Sequence, residues 1–320
     1  MNAVDHGLWA VDPEEADFGD HRRKSRDRWL ATYSMKALKQ GAAIDARIVK
    51  HQRFDELIAA LDRMFLLAKE VQQPVGGIVR GTAGVGKSTL CRYFMDTLPH
   101  HNLAERSTGM IFIRMRRGNS LAGVVQQVLK QLNYPLLKVN STTLDAKRSL
   151  SVDALRRHKT RLILVDEGHQ VVAMRGARAG DGSAASEYFR ELMDEAKLAV
   201  CLVGGPNLSE LKTVDPYLDS RCVVNESLRD FAMDADWLSL AQAMLPESSS
   251  LNLRSLQSSR EGFQALHKTA RGNLRRLKQF LTELAMVTVD SGKLAPEKAT
   301  LQLAFQRAFG SEERSDCPWT

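Results

Sequence analysis

Short apolar runs alternate with longer segments of helical periodicity through the middle of the chain. The apolar runs lie at residues 78–79, 110–113, 162–165, 198–203 and 222–224. The helical patterns lie at residues 47–69, 89–94, 120–132, 144–157 and 187–197. Short unbroken apolar runs are typical of strands buried on both faces, and strands that alternate with helices form parallel sheets. The pattern therefore predicts an α/β fold, with a parallel five-stranded sheet flanked by helices.

Helical periodicity is strongest before the first strand and in the C-terminal third. Six apolar residues fall on one face of the segment 47–69, which predicts that this face is buried. They are Phe54, Leu57, Ile58, Leu61, Phe65 and Leu66. Gly41 is predicted to interrupt the preceding pattern. Residues 234–308 are predicted to be nearly all helix, with a break at Pro246 and the serines at 248–250.

These patterns divide the chain into four parts. Residues 1–45 are predicted to form an N-terminal extension, partly disordered, in which an acidic start gives way to a basic helix from His21. Residues 46–228 should form the α/β domain and residues 229–309 a small all-helical lid domain. Residues 310–320 are polar and are predicted to be a flexible tail.

Composition and charge exclude some classes of protein. Of 320 residues, 43% are hydrophobic, and the net charge of +7 permits nucleic-acid binding without establishing it. No apolar run approaches the ~20 residues that span a bilayer, and the N-terminus lacks a secretory pattern. We therefore expect a cytoplasmic protein without membrane contact. The cysteines lack metal-binding spacing, and Cys91, Cys201 and Cys222 are expected to be small core residues.

A glycine-rich segment follows the first predicted strand and matches the pattern G-x-x-x-x-G-K-[ST]. Its candidate nucleotide-binding residues are Gly81, Thr82, Ala83, Gly84, Val85, Gly86, Lys87, Ser88 and Thr89. Glycines allow backbone N–H groups to turn toward a polyphosphate, and the following helix directs its positive end there. Lys87 would neutralise the β- and γ-phosphates, and Ser88 would bind Mg²⁺. The segment predicts a site for ATP and Mg²⁺.

Two carboxylates stand at the end of the third predicted strand. Asp166 is expected to bind Mg²⁺ together with Ser88, and Glu167 to polarise the water that attacks ATP. This pair predicts a magnesium-dependent ATPase. His169 follows them and would either sense the γ-phosphate or cap the next turn.

Several arginines are candidates for contact with DNA phosphates. Arg114, Arg116 and Arg117 follow the second strand, at the sheet edge where α/β proteins bind ligands. Arg175 and Arg178 lie in the glycine-rich loop of residues 173–187. For both groups, plain exposure to solvent remains the alternative interpretation.

With these motifs in place, residues 45–290 resemble an AAA+ ATPase. The resemblance implies that Ile48 and Val49 help to hold adenine and that Arg221 is an arginine finger for a neighbouring subunit. It also implies that Arg275, in Gly272–Arg275, contacts the phosphates as a second sensor. Lys87, Asp166, Glu167, Arg221 and Arg275 are then the catalytic candidates. Gly204 and Gly205 depart from the family pattern, since they stand where a polar first sensor is usual, and Asn207 is a possible substitute.

Within AAA+ proteins, the chain looks most like the TnsC/TniB transposition regulators. The features are Asp27-Arg28-Trp29, the D-E-x-H segment 166–169, the Val203-Gly204 turn and a compact lid ending near residue 310. The resemblance implies an ATP-dependent homo-oligomer, a ring or filament on double-stranded DNA. It would link a TniQ-like target-selection protein to a transposase, with hydrolysis controlling disassembly. An IstB- or DnaC-like helicase loader shares most motifs, and a nucleotide-gated protein scaffold without a DNA role is a further alternative.

Overall fold

The computed structural model describes residues 33–72, 75–98, 109–118, 120–134, 143–173, 183–248 and 250–319. Its strands are β1 (Gly77–Gly81), β2 (Met110–Arg114), β3 (Leu162–Asp166), β4 (Ala199–Gly204), β5 (Val224–Leu228), β6 (Glu247–Ser248) and β7 (Leu251–Asn252). Its α-helices are α1 (Met35–Asp45), α2 (Gln52–Leu67), α3 (Lys87–Thr97), α4 (Leu121–Gln131), α5 (Leu144–Arg157), α6 (His169–Ala173), α7 (Ala184–Ala196), α8 (Leu211–Val214), α9 (Pro216–Arg221), α10 (Ala235–Met244), α11 (Arg260–Ala270), α12 (Leu274–Asp290) and α13 (Lys298–Phe309). The basic helix predicted from His21 lies outside the described residues.

Five parallel strands form one sheet in the order β2-β3-β4-β1-β5. The central register pairs Ile78 of β1 with Leu202 of β4, and Leu164 of β3 with Cys201. Because every strand runs the same way, all carboxyl ends lie along one edge, called here the carboxyl edge. The amino ends form the opposite, amino edge. The predicted fold class, a parallel sheet flanked by helices, is confirmed.

Helices cover both faces of the sheet. In β3, Leu162 and Leu164 belong to the apolar cluster formed with α2 and α3, whereas Ile163 and Val165 belong to the cluster formed with α4, α5 and α7. Successive strand residues point to opposite faces, so one unbroken apolar run supplies both cores. Each fully buried aliphatic side chain stabilises the fold by about 1.5–3 kcal/mol. Cys91, Cys201 and Cys222 are buried free thiols, as expected.

The chain forms two compact units. The core unit contains Ile48–Leu240 and Arg271–Arg275, and therefore the whole five-stranded sheet. The helical unit contains Ala241–Ala270, the chain from Arg276 onward, and the described residues up to Arg47. In the described part of the chain, no helix is both long enough and apolar enough to cross a bilayer.

Helix α2 begins five residues later than the periodicity predicts. His51 caps it, since the Nδ1 atom of His51 accepts a hydrogen bond from the Phe54 N–H at 3.3 Å. The predicted buried face is also partly wrong, because Leu66 is 61% exposed. The face toward the sheet carries Phe54, Leu57, Leu61 and Met64 instead. This set recurs every three or four residues, and Leu66 falls outside it.

The fifth strand is Val224–Leu228, so its prediction at residues 222–224 is displaced. Cys222 still belongs to the turn that ends α9, because its N–H donates to the Asp219 carbonyl. Sheet pairing begins where Val224 lies beside Gly77. Most of β5 is exposed and polar at this end of the sheet, and edge strands carry little apolar signal.

In the helical unit, Gly41 does not interrupt a helix but lies within α1. A Cβ atom at this position would lie 2.8 Å from the Cγ atom of Met286 in α12. The glycine therefore allows two helix backbones to approach closely. In the sequence alone, a glycine with this role looks the same as a glycine that ends a helix. Ser34 caps α1 and donates its hydroxyl to Asp290 at 2.6 Å.

The region predicted to be nearly all helix also contains a small antiparallel pair of strands, β6 and β7. The Ser248 hydroxyl oxygen accepts a hydrogen bond from the Leu251 N–H at 3.2 Å, which joins the end of β6 to the start of β7. The predicted break at Pro246 is thus a hairpin rather than a plain connection between helices.

The C-terminal tail is packed, in contrast to its predicted flexibility. Trp319 is 9% exposed and stacks on Phe280, with ring centroids 5.7 Å apart and planes 8° apart. Its indole N–H donates to the Thr269 hydroxyl at 2.9 Å, and its carbonyl accepts from the Gln302 side chain at 3.0 Å. One aromatic side chain fixes an otherwise polar segment, and composition does not reveal it.

Replacing Trp319 by Ala should lower the stability of the helical unit. Truncation of a buried Trp costs about 3–5 kcal/mol, since both the stacking and the apolar burial are lost. Thermal unfolding followed by circular dichroism measures the effect. Ser315→Ala, an exposed change in the same tail, is the matched control and should leave the midpoint unchanged. Equal midpoints for Trp319→Ala and the wild type would contradict the packed tail.

Candidate nucleotide-binding site

The glycine-rich loop lies at the carboxyl edge between β1 and α3. Gly84 and Gly86 have φ values of 88° and 99°, in the left-handed region that side chains disfavour. A Cβ atom at Gly84 would also lie 2.4 Å from the side-chain oxygen of Asn273. The loop geometry therefore requires glycine at these two positions. The predicted strand, loop and helix are all present in this order.

Lys87 turns its ammonium group into this loop. Its Nζ atom donates to the carbonyls of Gly81 at 2.8 Å and Thr82 at 2.7 Å. Burial lowers the pKa of Lys87, against the opposing effect of the carboxylates of Glu167 and Asp166; the guanidinium of Arg275 lowers it further. A partly desolvated cation beside a second cation favours an anionic ligand at this point.

Ser88 and Asp166 lie together beneath the loop. The Ser88 hydroxyl donates to the Oδ2 atom of Asp166 at 3.2 Å, and Asp166 is 3% exposed. A hydroxyl and a carboxylate are hard oxygen ligands of the kind that Mg²⁺ prefers. The described residues contain no cluster of three or more His, Cys, Asp or Glu that could hold a metal. Mg²⁺ would therefore need phosphate oxygens and water as further ligands, which is usual for this ion.

Glu167 is held in an uncommon backbone conformation. Its φ value is 55°, a left-handed conformation that costs a non-glycine residue about 1–3 kcal/mol. Its N–H donates to the Asp166 carboxylate at 3.0 Å. One carboxylate oxygen lies 3.4 Å from Arg114 Nη2, and the other lies 3.4 Å from His169 Nδ1. The backbone turn thus places this carboxylate at the carboxyl edge, beside Arg114.

His169 connects this turn to the end of β4. Its Nδ1 atom accepts a hydrogen bond from the Gly205 N–H at 3.3 Å. Gly204 fits closely here, since a Cβ atom would lie 2.9 Å from the His169 backbone nitrogen. Asn207, the possible first sensor, is exposed in the turn that follows. Its role stays a prediction.

The arginines predicted to contact DNA are in different environments. Arg114 faces the two carboxylates, with its Nε atom 3.8 Å from Asp166 Oδ2 in addition to its contact with Glu167. Arg116 and Arg117 are exposed. Arg175 and Arg178 lie outside the described residues. Their DNA role stays a prediction, and for Arg114 the contacts favour a role beside Glu167.

The predicted second-sensor segment, Gly272–Arg275, meets the glycine-rich loop within the core unit. The Arg275 N–H donates to the Gly84 carbonyl at 3.0 Å, and the Asn273 side chain donates to the Ala83 carbonyl at 2.9 Å. The carbonyl oxygen of the Asn273 side chain accepts from the Arg275 N–H at 3.1 Å. This segment therefore holds the loop backbone directly.

Asp230 joins the same network, and sequence reasoning missed it. Its two carboxylate oxygens accept from the Thr82 hydroxyl at 3.2 Å and from the Asn273 amide at 2.7 Å. It thereby ties the end of β5 to both the glycine-rich loop and the second-sensor segment. An isolated aspartate in a polar stretch gives no signal for this role.

The residues predicted to hold adenine lie at the start of the core unit. Ile48 is 43% exposed and Val49 is half-buried. His51 packs edge-on against Phe231, with centroids 5.0 Å apart, and burial lowers the pKa of His51. An adenine role for Ile48 and Val49 stays a prediction.

Arg221, the predicted finger, ends α9 and is 34% exposed at its side chain. Its Nη2 atom lies 2.8 Å from the Asp194 carboxylate of α7, and its Nη1 atom donates to the Tyr217 carbonyl at 3.2 Å. Helix α9 is held at its other end by Asp215, a buried carboxylate 3.6 Å from Arg190. A role toward a neighbouring subunit stays a prediction.

A model of the family described as Bacterial TniB protein matches residues 42–229, which is more than half of the chain. The chain belongs to the TniB family. The match contains the glycine-rich loop, the Asp166–Glu167 pair and Arg221. No curated protein matches the sequence.

Solved structures of the AAA+ fold resemble this TniB-family chain at low sequence identity. The ORC2 protein of Aeropyrum pernix in ADPNP–ADP complexes has a TM-score of 0.58 and 14% identity, over 84% of this chain and 72% of that one. The ORC1 protein of the same organism in complex with DNA gives 0.59 and 13%, over 81% and 66%. Cdc6p from Pyrobaculum aerophilum gives 0.60 and 14%, over 83% and 70%. The AAA+ fold is thereby shown.

Asp230→Ala should weaken nucleotide binding. The change removes the acceptor shared by Thr82 and Asn273, and each lost hydrogen bond is worth about 0.5–1.5 kcal/mol, so we expect about a tenfold loss of affinity for ADP. Titration with fluorescent ADP measures it. Asp230→Asn is the matched control, since an amide can still accept from Asn273 and donate to the Thr82 hydroxyl. Unchanged affinity in Asp230→Ala would exclude this role.

Proposed function

We propose that this TniB-family protein is a magnesium-dependent ATPase that oligomerises on double-stranded DNA. In this role it links a TniQ-like target-selection protein to a transposase, and ATP hydrolysis controls disassembly. The family match supports a transposition role over a helicase-loader role. The fold and the site described above support the ATPase.

One observation carries the ATPase proposal: Lys87 and Arg275 converge on a loop whose glycines leave the backbone open. Burial lowers the pKa of Lys87, and Arg275 lowers it further, against the opposing effect of Glu167 and Asp166. A polyphosphate would compensate this partly desolvated ammonium and accept hydrogen bonds from the loop N–H groups and the start of α3. The Lys87 ammonium, now on the Gly81 and Thr82 carbonyls, would move to the phosphates.

The chemistry is divided among residues of the carboxyl edge. Ser88 and Asp166 would hold Mg²⁺, which neutralises phosphate charge when bound. Glu167 would orient the attacking water and accept its proton. Arg114, whose Nη2 atom lies 3.4 Å from one oxygen of Glu167, would help to fix the direction of this carboxylate.

Assembly would depend on Arg221. Its ion pair with Asp194 is partly exposed, and such pairs contribute about 0–1 kcal/mol. A γ-phosphate of a neighbouring copy offers a stronger, charge-assisted partner. ATP would therefore favour the oligomer, and hydrolysis would remove the group that Arg221 contacts. The net charge of +7 favours DNA over a purely protein partner.

Glu167→Gln should lower ATP turnover at least about 100-fold, because the amide cannot accept the proton of water. Binding of ATP should remain, so oligomers formed on double-stranded DNA with ATP should persist. Phosphate release and electron microscopy of the DNA-bound protein measure the two effects. Wild-type turnover in this variant would remove Glu167 from the mechanism.

Arg221→Ala should prevent ATP-dependent assembly while leaving ATP binding within about threefold of the wild type. The finger acts on a neighbour's nucleotide, so the isolated protomer keeps its own site. Sedimentation with duplex DNA and ATP, ADP or a slowly hydrolysed analogue measures assembly. Lys212→Ala, which removes an exposed cation of the nearby α8, is the matched control. Persistent oligomers in Arg221→Ala would contradict the finger assignment.

The same experiment separates the alternatives. A preference for single-stranded over double-stranded DNA would favour a helicase loader. If no nucleotide state gives a DNA-bound oligomer, the DNA role fails and a nucleotide-gated protein scaffold replaces it.

A further inference from the structure

A basic surface lies at the amino edge of the sheet, opposite the nucleotide site. Its residues, called here the amino-edge surface, are Lys69, Arg156, Arg157, Lys159, Arg161 and Lys197. Four of them come from one run of six residues, 156–161, which comprises the last two residues of α5 and the connection to β3. Runs of this kind are typical of nucleic-acid contacts, but they are also common on plain solvated surfaces.

The fold adds cations from two distant segments to this run. Lys69, just after α2, donates to the Ala196 carbonyl at 2.8 Å. Arg156 donates twice to the Glu195 carbonyl, at 3.0 and 2.7 Å. Lys197 follows directly, so three segments meet around the C-terminal end of α7. The Arg161 carbonyl accepts from the Ala199 N–H, which fixes the run beside the start of β4.

The cations of the amino-edge surface crowd one another. Burial lowers the pKa of Lys69, and the neighbouring guanidinium groups of Arg161 and Arg156 lower it further. The carbonyls at the end of α7 compensate in part, as helix C-termini do for cations. Four acidic residues belong to the same segments: Asp153, which lies 3.7 Å from Arg156, Glu70, Glu195, and Asp194, which pairs with Arg221. Six cations against the three carboxylates that remain leave a positive surface.

The exposed members of this surface are arranged for a polyanion rather than for a protein. Arg157, Lys159 and Lys197 are exposed, whereas Phe65 is half-buried with the Arg161 guanidinium 5.8 Å from its ring centroid. Protein interfaces are depleted of charge at their centres and enriched in aromatic side chains. A phosphodiester backbone, in contrast, is bound by Lys and Arg with little apolar contact.

We propose that the amino-edge surface binds the phosphate backbone of double-stranded DNA, without sequence preference. The inference rests on the proposed DNA role and adds a contact at the opposite edge of the sheet from the nucleotide. It also supplies phosphate contacts that Arg114 does not, since that arginine faces Asp166 and Glu167.

The test is the double variant Arg157→Glu/Lys159→Glu in the full chain. Both side chains are exposed, so folding should be retained, and circular dichroism checks it. Fluorescence anisotropy with a 30-base-pair duplex of arbitrary sequence is measured over a range of salt concentrations. We expect affinity to fall at least about tenfold and the slope of log affinity against log salt to decrease by about 2, one for each lost phosphate contact.

The matched control is Lys212→Glu/Lys298→Glu, which makes the same change in net charge at exposed positions outside the segments of this surface. It should bind DNA more tightly than the test variant, and both should bind fluorescent ADP like the wild type. If the two double variants bind DNA equally, the inference is overturned while the DNA role stands. If the wild type binds no DNA, both fail.

Competition with polyglutamate tests whether the amino-edge surface binds acidic protein segments instead of DNA. We expect polyglutamate to displace the labelled duplex from the wild type only at a concentration of negative charges much higher than unlabelled DNA requires. If it competes as well as DNA, and the test variant loses affinity for both, the surface is a site for acidic protein segments and the nucleic-acid assignment is wrong.

Discussion

The parallel direction of all five strands is the constraint on which the site depends. Their carboxyl ends must lie along one edge, and loops of very different sequence position therefore meet there. Gly81 ends β1, Asp166 ends β3, and Asp230 follows the end of β5. Charges of both signs lie at this edge. The cations are Lys87, Arg114 and Arg275, and the carboxylates are Asp166, Glu167 and Asp230. These opposed charges compensate one another in part.

The glycine-rich loop is held by contacts from other segments of the chain as well as by its own backbone conformation. Asn273 and Arg275 bond its carbonyls, and Asp230 bonds both Thr82 and Asn273. The N–H groups, which a phosphate needs, are left to turn inward. A bound nucleotide would thus act on a loop whose outer face is already fixed. The segment Gly272–Arg275 contacts the same loop and belongs to the core unit.

The sequence predicts those parts of the site that are contiguous motifs. The glycine-rich loop and the Asp166–Glu167 pair are local patterns with local chemistry, and the structure has both at strand ends. Asp230 and the orientation of Arg114 could not be predicted, because they depend on which strands become neighbours. The residues of β5 are mostly exposed and polar, so the apolar pattern did not give the bounds of this edge strand. One aromatic residue, Trp319, orders a tail that composition predicts to be flexible. In each case, the missing information is a long-range contact.

Helix α7 connects features that would otherwise be unrelated. Along its length, Arg190 meets the buried Asp215, Asp194 meets Arg221, and the Glu195 carbonyl binds Arg156 of the amino-edge surface. Asp194 and Glu195 are adjacent, so the contacts of Arg221 and of Arg156 lie on one turn of helix. If Arg221 left Asp194 for a neighbour's nucleotide, the freed carboxylate would stand beside that surface and weaken its positive field. Finger engagement and phosphate contact at the amino edge are therefore expected to oppose each other modestly, because the carboxylate is partly exposed and screened by solvent.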